Sequence, residues 1–227
     1  MKREAMQPAE FSVSGLYLIT PDENDTSRLL AMVEAALAGG ARVVQYRNKA
    51  ADTVLARQQS AALLALCRRH AVPLIINDDI ELCLAIGADG VHLGAGDGCL
   101  REARSRLGAG KILGASCYGS LANALQAQDN GADYVAFGAC FASATKPQAP
   151  RAALSLFGQA RDALTIPRVA IGGITPENAD QVINAGADAL AVIGAVFSSP
   201  DIRDTSRRFS LLFEQTNHHD LTQPATL

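Results

Sequence analysis

The chain alternates between short apolar runs and longer stretches in which apolar residues recur at helical spacing. Residues 15–20, Gly-Leu-Tyr-Leu-Ile-Thr, predict a first strand closed by Pro21, and Arg28 to Ala38 carries the pattern of an amphipathic helix until Gly39-Gly40 stops it. A second strand is expected over 43–47 and a helix from about Thr53 to Arg69. Val72 to Asn77 is then an apolar run of the kind buried on both faces of a parallel sheet. The alternation goes on to predict strands near 90–93, 112–115, 134–138, 168–171 and 189–193, with helical patterns between them. Strands alternating with helices imply parallel crossovers. Eight such units in roughly 200 residues predict an α/β fold of one class, a single (β/α)8 TIM barrel with a parallel eight-stranded core.

An internal repeat supports closure. Gly40-Ala41-Arg42, Gly87-Ala88-Asp89, Gly131-Ala132-Asp133 and Gly186-Ala187-Asp188 stand just before the even-numbered strands, spaced 47, 44 and 55 residues apart. Glycine supplies the left-handed turn that ends a helix and alanine keeps that turn thin, so these Asp residues read as turn chemistry rather than catalysis. The longest spacing includes Gly138 to Pro150, which is polar and aperiodic. A loop longer than packing requires is a candidate lid. The expected organisation is an N-terminal extension over 1–12, the barrel over 13–215 and a disordered polar tail over 216–227.

Composition narrows the chemistry. The net charge of -3 and 5% aromatic content, without a basic stripe, exclude a nucleic-acid surface, so any anion site must be local. Cys67, Cys83, Cys99, Cys117 and Cys140 contain no C-x-x-C pair and read as free thiols of a reducing cytoplasm. No stretch approaches the apolar length of a membrane span, and residues 1–10 lack the apolar run of a secretory signal. The expectation is a cytoplasmic protein with small-molecule partners. Assembly is left open, a homo-oligomer included.

In a barrel of this kind the reactive groups lie where strands end and helices begin. Strand two runs into Gln45, Arg47 and Lys49 at alternate positions, an amide, a planar fork of donors and a point charge on one face. That set suits phosphate or diphosphate oxygens, or merely a solvated strand end. Strand three ends in Asn77-Asp78-Asp79, which offers hard oxygen ligands or a helix cap. Strand four ends in His92-Leu93-Gly94 followed by Asp97, and strand five in Ser116. The segment after strand six holds Ser143, Thr145 and Lys146. Strands seven and eight end in Gly172-Gly173 and Ile193-Gly194, whose bare backbone suits a phosphomonoester or a tight turn. His92, within a strand, reads as a packed or substrate-lining imidazole rather than a general base. With Asp78 and Asp97 on Mg2+, and a diphosphate between that ion and Arg47, Lys49 and Lys146, two anion sites would face each other. That arrangement suggests the joining of two phosphorylated molecules.

These motifs resemble the thiamine phosphate synthase (thiamine-phosphate pyrophosphorylase) family. The likeness rests on Gln45-x-Arg47-x-Lys49, Asn77-Asp78, Gly90-Val91-His92-Leu93-Gly94 with Asp97, Gly114-x-Ser116, Thr145-Lys146, Gly172-Gly173-Ile174 and the last Gly-Ala-Asp, and it spans residues 15 to about 198. It implies a transferase of thiamine biosynthesis. Hydroxymethylpyrimidine diphosphate would lose diphosphate through a stabilised carbocation, and the ring nitrogen of thiazole phosphate would attack the exposed methylene. It further implies that Gln45 and Asn77 contact the pyrimidine, that Arg47, Lys49, Ser116 and Lys146 hold the diphosphate and carry the catalysis, and that Asp78 and Asp97 ligate Mg2+. Ser143, Thr145, Gly173, Ile193 and Gly194 would line the thiazole phosphate site.

The chain departs from the family pattern at several points. Ala95-Gly96 stands where a Gln and an acidic residue are usual, Ala142 replaces a stiffening proline, and Gly194 lacks a common serine hydroxyl. Two other readings remain. A thiazole tautomerase of the same lineage would need a proton shuttle, for which His is the usual choice, whereas the positions after Ser116 offer Cys117 and Tyr118; it would also leave the Asp78 and Asp97 pair unexplained. A non-catalytic phosphate-binding barrel would have little use for the full metal and cation set.

Overall fold

The computed structural model describes residues 12–94, 96–142 and 151–220, the last five of these as backbone. The strands are β1 (Gly15–Ile19), β2 (Val43–Tyr46), β3 (Leu74–Asn77), β4 (Gly90–Leu93), β5 (Ile112–Tyr118), β6 (Tyr134–Phe137), β7 (Arg168–Ile171) and β8 (Ala189–Val192). Between them run α1 (Thr26–Ala38), α2 (Thr53–Arg69), α3 (Ile80–Ile86), α4 (Leu100–Leu107), α5 (Leu121–Asp129), α6 (Ser155–Ala163) and α7 (Ala179–Asn184). A short α8 (Gly194–Phe197) and a long α9 (Ile202–Asp220) follow β8. The strands pair in chain order, all parallel, and β8 pairs with β1 to close the barrel. The expected (β/α)8 barrel is the observed one.

Alternation along each strand divides the core. Leu16, Leu18, Val44, Leu74, Ile76, Val91, Leu113, Val135 and Leu190 point outward and pack under the helices. Tyr17, Ile19, Val43, Ile75, Tyr134 and Val169 fill the barrel interior, with Ala136, Ala189 and Ala191 as the small partners that let large side chains interdigitate. Gly114 has the same role. A Cβ there would lie 2.1 Å from Cζ of Tyr134, its register partner on β6.

The repeated Gly-Ala-Asp turns form the barrel floor. Gly40, Gly87, Gly131 and Gly186 all have positive φ, from 70° to 112°. The Asp side chains do more than turn. Asp89 accepts the backbone N–H of Leu74, Asp133 that of Leu113 and Asp188 that of Arg168, at 2.7–2.8 Å, so each caps the start of the preceding strand. Each Asp N–H in turn donates to the carbonyl of that same residue. Arg104 and Arg168 reinforce two of these turns by pairing with Asp133 and Asp188.

Element boundaries differ from expectation where local chemistry intervenes. β3 begins at Leu74 rather than Val72 because Pro73 has no N–H to give the ladder. β5 runs on to Tyr118 through a register shift against β6. The α9 backbone is described through Asp220, into the segment expected as a tail. α9 crosses the end of α1 where Gly39 and Gly40 have no side chain; a Cβ on Gly39 would meet the Arg203 carbonyl at 2.4 Å. Among the described residues no helix is long and apolar enough to cross a membrane.

Candidate active site

The carboxyl ends of β2 to β5 bring Gln45, Arg47, Asn77, Asp78, His92 and Ser116 to one mouth. β2 ends at Tyr46, so Arg47 to Lys49 form a connecting segment held in shape by the loop after β1. The Arg47 N–H donates to the Thr20 hydroxyl, which itself donates to the Arg47 carbonyl, both at 2.8 Å. Asp22 Oδ1 accepts the Lys49 N–H at 2.8 Å and Arg47 Nη1 at 3.3 Å. Asp22 thus aligns both cations while leaving most of the guanidinium fork free. Tyr46 turns to the opposite face and donates to Gln59, whose amide donates to the Glu23 carbonyl, tying the two loops together. Sequence reasoning passed over Thr20 and Asp22. Their signal is position, since Thr20-Pro21-Asp22 directly follows the first strand.

The two carboxylates proposed as metal ligands come together. Asp78 lies in left-handed backbone, φ 64°, so that its chain direction breaks from β3, and its N–H donates to the His92 carbonyl at 2.9 Å. Asp79, not Asp78, caps α3 by accepting the Leu82 N–H at 2.8 Å. Asp97 does not cap α4 either: the cap position is Cys99, and Asp97 Oδ2 accepts the Gly94 N–H at 2.7 Å. A side chain on Gly94 would meet that oxygen at 2.7 Å. Partial burial, together with the adjoining Asp97 carboxyl, pushes the Asp78 carboxyl up to about 6, against the pull of Asn77 and Lys49. Two carboxylates that repel each other are the donor set a divalent cation neutralises. A pair, completed by substrate oxygens and water, is the usual provision for Mg2+.

Across the mouth, Gly172 and Gly173 both have positive φ, 102° and 64°. They permit a close approach: a Cβ on Gly173 would lie 2.4 Å from the Ala142 carbonyl. Ile193 precedes Gly194, the first residue of α8. Ser143, Thr145 and Lys146 lie outside the described residues, as do Ala95 and most of the expected lid.

The reading of His92 as a packed imidazole matches its surroundings. Its Nδ1 bonds the Tyr134 hydroxyl and its Nε2 bonds Ser116 Oγ, both at 2.9 Å. Burial holds it down at about 4, with Asp97 pulling weakly the other way, so the ring is neutral near pH 7. Cys117 is buried and pushed up to about 12, which removes it as a proton shuttle, and Tyr118 is exposed. Arg47, Lys49, Asn77 and Asp78 line a cavity of about 440 Å³ that opens between α2 and α3. The lining also takes in Arg57 and the carboxylates of Asp52, Asp79 and Glu81, while Asp97 lies outside it; cations and carboxylates together can hold a polyanion with its counter-cation. The described residues here present no activated nucleophile.

Residues 16–196 match the sequence profile of thiamine monophosphate synthase. A thiamine-phosphate synthase of Methylobacillus flagellatus is 57% identical over 94% of this chain and all of the relative. One of Nitrosospira multiformis is 53% identical over 91% of this chain and 88% of its own. Among solved structures, thiamine phosphate pyrophosphorylase from Pyrococcus furiosus superposes with a TM-score of 0.80 at 34% identity, covering 88% of this chain and 96% of that one.

Proposed function

The chain belongs to the thiamine monophosphate synthase family, and from that premise we propose that this mouth joins hydroxymethylpyrimidine diphosphate to thiazole phosphate, releasing diphosphate and thiamine phosphate. The observation that carries the assignment to this mouth is the convergence of Arg47 and Lys49 with the Asp78 and Asp97 carboxylates. Arg47, Lys49 and Ser116, with Lys146, bind the diphosphate. Gln45 and Asn77 contact the pyrimidine. Gly173, Ile193 and Gly194, with Ser143 and Thr145, receive the thiazole phosphate; the close approach of Ala142 to Gly173 supports grouping the loop after β6 with that glycine.

The bond that breaks joins the pyrimidine methylene to the diphosphate oxygen, and its electron pair leaves with the oxygen. The bond that forms uses the lone pair of the thiazole nitrogen, so no proton has to be removed at the reacting atoms. That fits a site where His92 is neutral and fully engaged. Arg47, Lys49 and Ser116 stabilise charge as it develops on the leaving diphosphate, and fixed donors that need no reorganisation are what such a step requires. Asp78 and Asp97 would hold Mg2+, which when bound supplies further neutralisation of the diphosphate.

The test is direct. Purified protein supplied with Mg2+ and both substrates is expected to yield thiamine phosphate and diphosphate in equal amounts, and no product above the protein-free control would refute the proposal. Arg47→Ala is expected to raise the KM for the pyrimidine diphosphate and to leave that for thiazole phosphate in place; equal increases would mean that the two pockets are misassigned.

A further inference from the structure

Below the mouth a chain of side chains crosses the barrel interior. Gln45 Nε2 lies 2.9 Å from the Tyr17 hydroxyl, which lies 2.7 Å from the Tyr134 hydroxyl. Tyr134 in turn lies 2.9 Å from His92 Nδ1, and His92 Nε2 lies 2.9 Å from Ser116 Oγ. Five residues from β2, β1, β6, β4 and β5 thus link one substrate-contacting side chain to another. Tyr17, Tyr134 and His92 are buried, and among the described residues their side chains have no other polar partner. Space for the chain is built in, because only a glycine at position 114 leaves room for the Tyr134 ring.

The chemistry of the links restricts how the protons are placed. Each phenol has one proton to give, and a neutral imidazole has one donor and one acceptor nitrogen. If every bond contains one proton and no buried proton lacks an acceptor, only two arrangements survive. In the first, Gln45 donates to Tyr17, Tyr17 to Tyr134, Tyr134 to His92 Nδ1, and His92 Nε2–H to Ser116. The Ser116 hydroxyl proton is then free to point into the site, and Gln45 keeps its Oε1 for the site. In the second every arrow reverses: Ser116 spends its proton on His92, and Gln45 turns its amino group outward. A mixed arrangement strands a buried proton or leaves two lone pairs facing each other, either of which is costly.

We propose that Tyr17, Tyr134 and His92 are positioning residues that couple the two ends: an anion bound at Ser116 demands a donor there, and the chain then obliges Gln45 to be an acceptor. Resting on the functional reading above, the consequence is specificity. A pyrimidine carrying an amino group meets the Gln45 oxygen with a donor, whereas the oxo analogue of the same diphosphate meets it with a second acceptor. Specificity on one side of the mouth is set by the charge bound on the other.

Two measurements test this. With inorganic diphosphate bound, 15N NMR of His92 is expected to show the Nε2–H tautomer; the Nδ1–H tautomer would overturn the coupling. Tyr134→Phe keeps the ring over Gly114 but removes the middle hydroxyl. It is expected to lower the preference for the amino over the oxo substrate, as a ratio of kcat/KM values, by about 10-fold or more. Tyr46→Phe, which loses a phenol bonded outside the interior, is expected to keep the wild-type ratio. An unchanged ratio in Tyr134→Phe, or an equal fall in activity on both substrates, would reduce the chain to packing. Absence of thiamine phosphate synthesis by the wild-type protein would instead strike the functional reading, since the tautomer is read without turnover.

Discussion

Acidification should unfold this barrel partly through one imidazole. His92 is buried under Tyr134 and bonded on both ring nitrogens, and burial holds it down at about 4 from an ordinary 6.5. Between those values the unfolded chain takes up a proton that the native protein refuses, so stability rises with pH across the window. The contribution is complete above about pH 6.5 and is lost as pH falls toward 4. A gap of that width corresponds to about 3 kcal/mol of free energy, a large part of the stability of a single domain. The assay is urea unfolding of the metal-free protein at several pH values between 7 and 4, for the wild type and for His92→Asn. The variant is expected to be less stable at pH 7, having lost its bonds to Tyr134 and Ser116. Its stability should nevertheless fall less steeply on acidification, so that the two profiles converge. Parallel profiles would refute the reasoning, because the carboxylates common to both proteins would then account for the whole acid limb.

Three further outcomes are expected. In metal-free protein Asp78, held up near 6, takes a proton the unfolded chain releases, so its share of stability falls as pH rises from about 4 to 6; Mg2+ with diphosphate should raise the wild-type Tm at pH 8, and an equal rise in Asp78→Asn would remove Asp78 from the metal site. Gly114→Ala places a Cβ 2.1 Å from Tyr134 Cζ and is expected to cost about 1–3 kcal/mol in urea unfolding, with most of that cost recovered when Tyr134→Ala is added; full additivity would show that the contact is not the cause. Arg104 donates to the carbonyls of Gly108, Lys111 and Gly131 and to Asp133. Its replacement by Ala is expected to cost about 2–4 kcal/mol of stability with KM values unchanged; Lys should restore little of it, because the planar fork is what spans these acceptors.

Much of the barrel was legible because its signals are local. Each strand is a short apolar run, each helix has a period, and the four glycine turns mark the same place in successive quarters. The cation segment and the paired carboxylates were legible too, since residues at strand ends fall on one rim whatever the details of packing. Resolving Asn77-Asp78-Asp79 into a cap and a proposed metal ligand was not. The choice depends on the backbone at Asp78, which swings its carboxyl toward Asp97 and leaves Asp79 to the helix. Asp22 was hidden for a related reason. It acts through a backbone N–H 27 residues away and a guanidinium 25 residues away, and no periodicity records such a pairing.

The interior chain was the least legible feature, although every member of it stands in the sequence. Tyr17 and Tyr134 fall at inward positions of apolar strands and read as ordinary core, and Gly114 reads as the first half of a motif whose purpose lies in Ser116. Their joint meaning appears only when closure sets β6 beside β5 and brings Tyr17 against Tyr134, so that three buried polar tips meet and bond one another. An apolar replacement set of similar volume would fill the same space without needing partners. A core that accepts fully bonded hydroxyls and an imidazole instead constrains where each proton lies, and in this barrel the two ends of that constraint are Ser116 and Gln45, the side chains proposed to meet the leaving group and the ring it leaves.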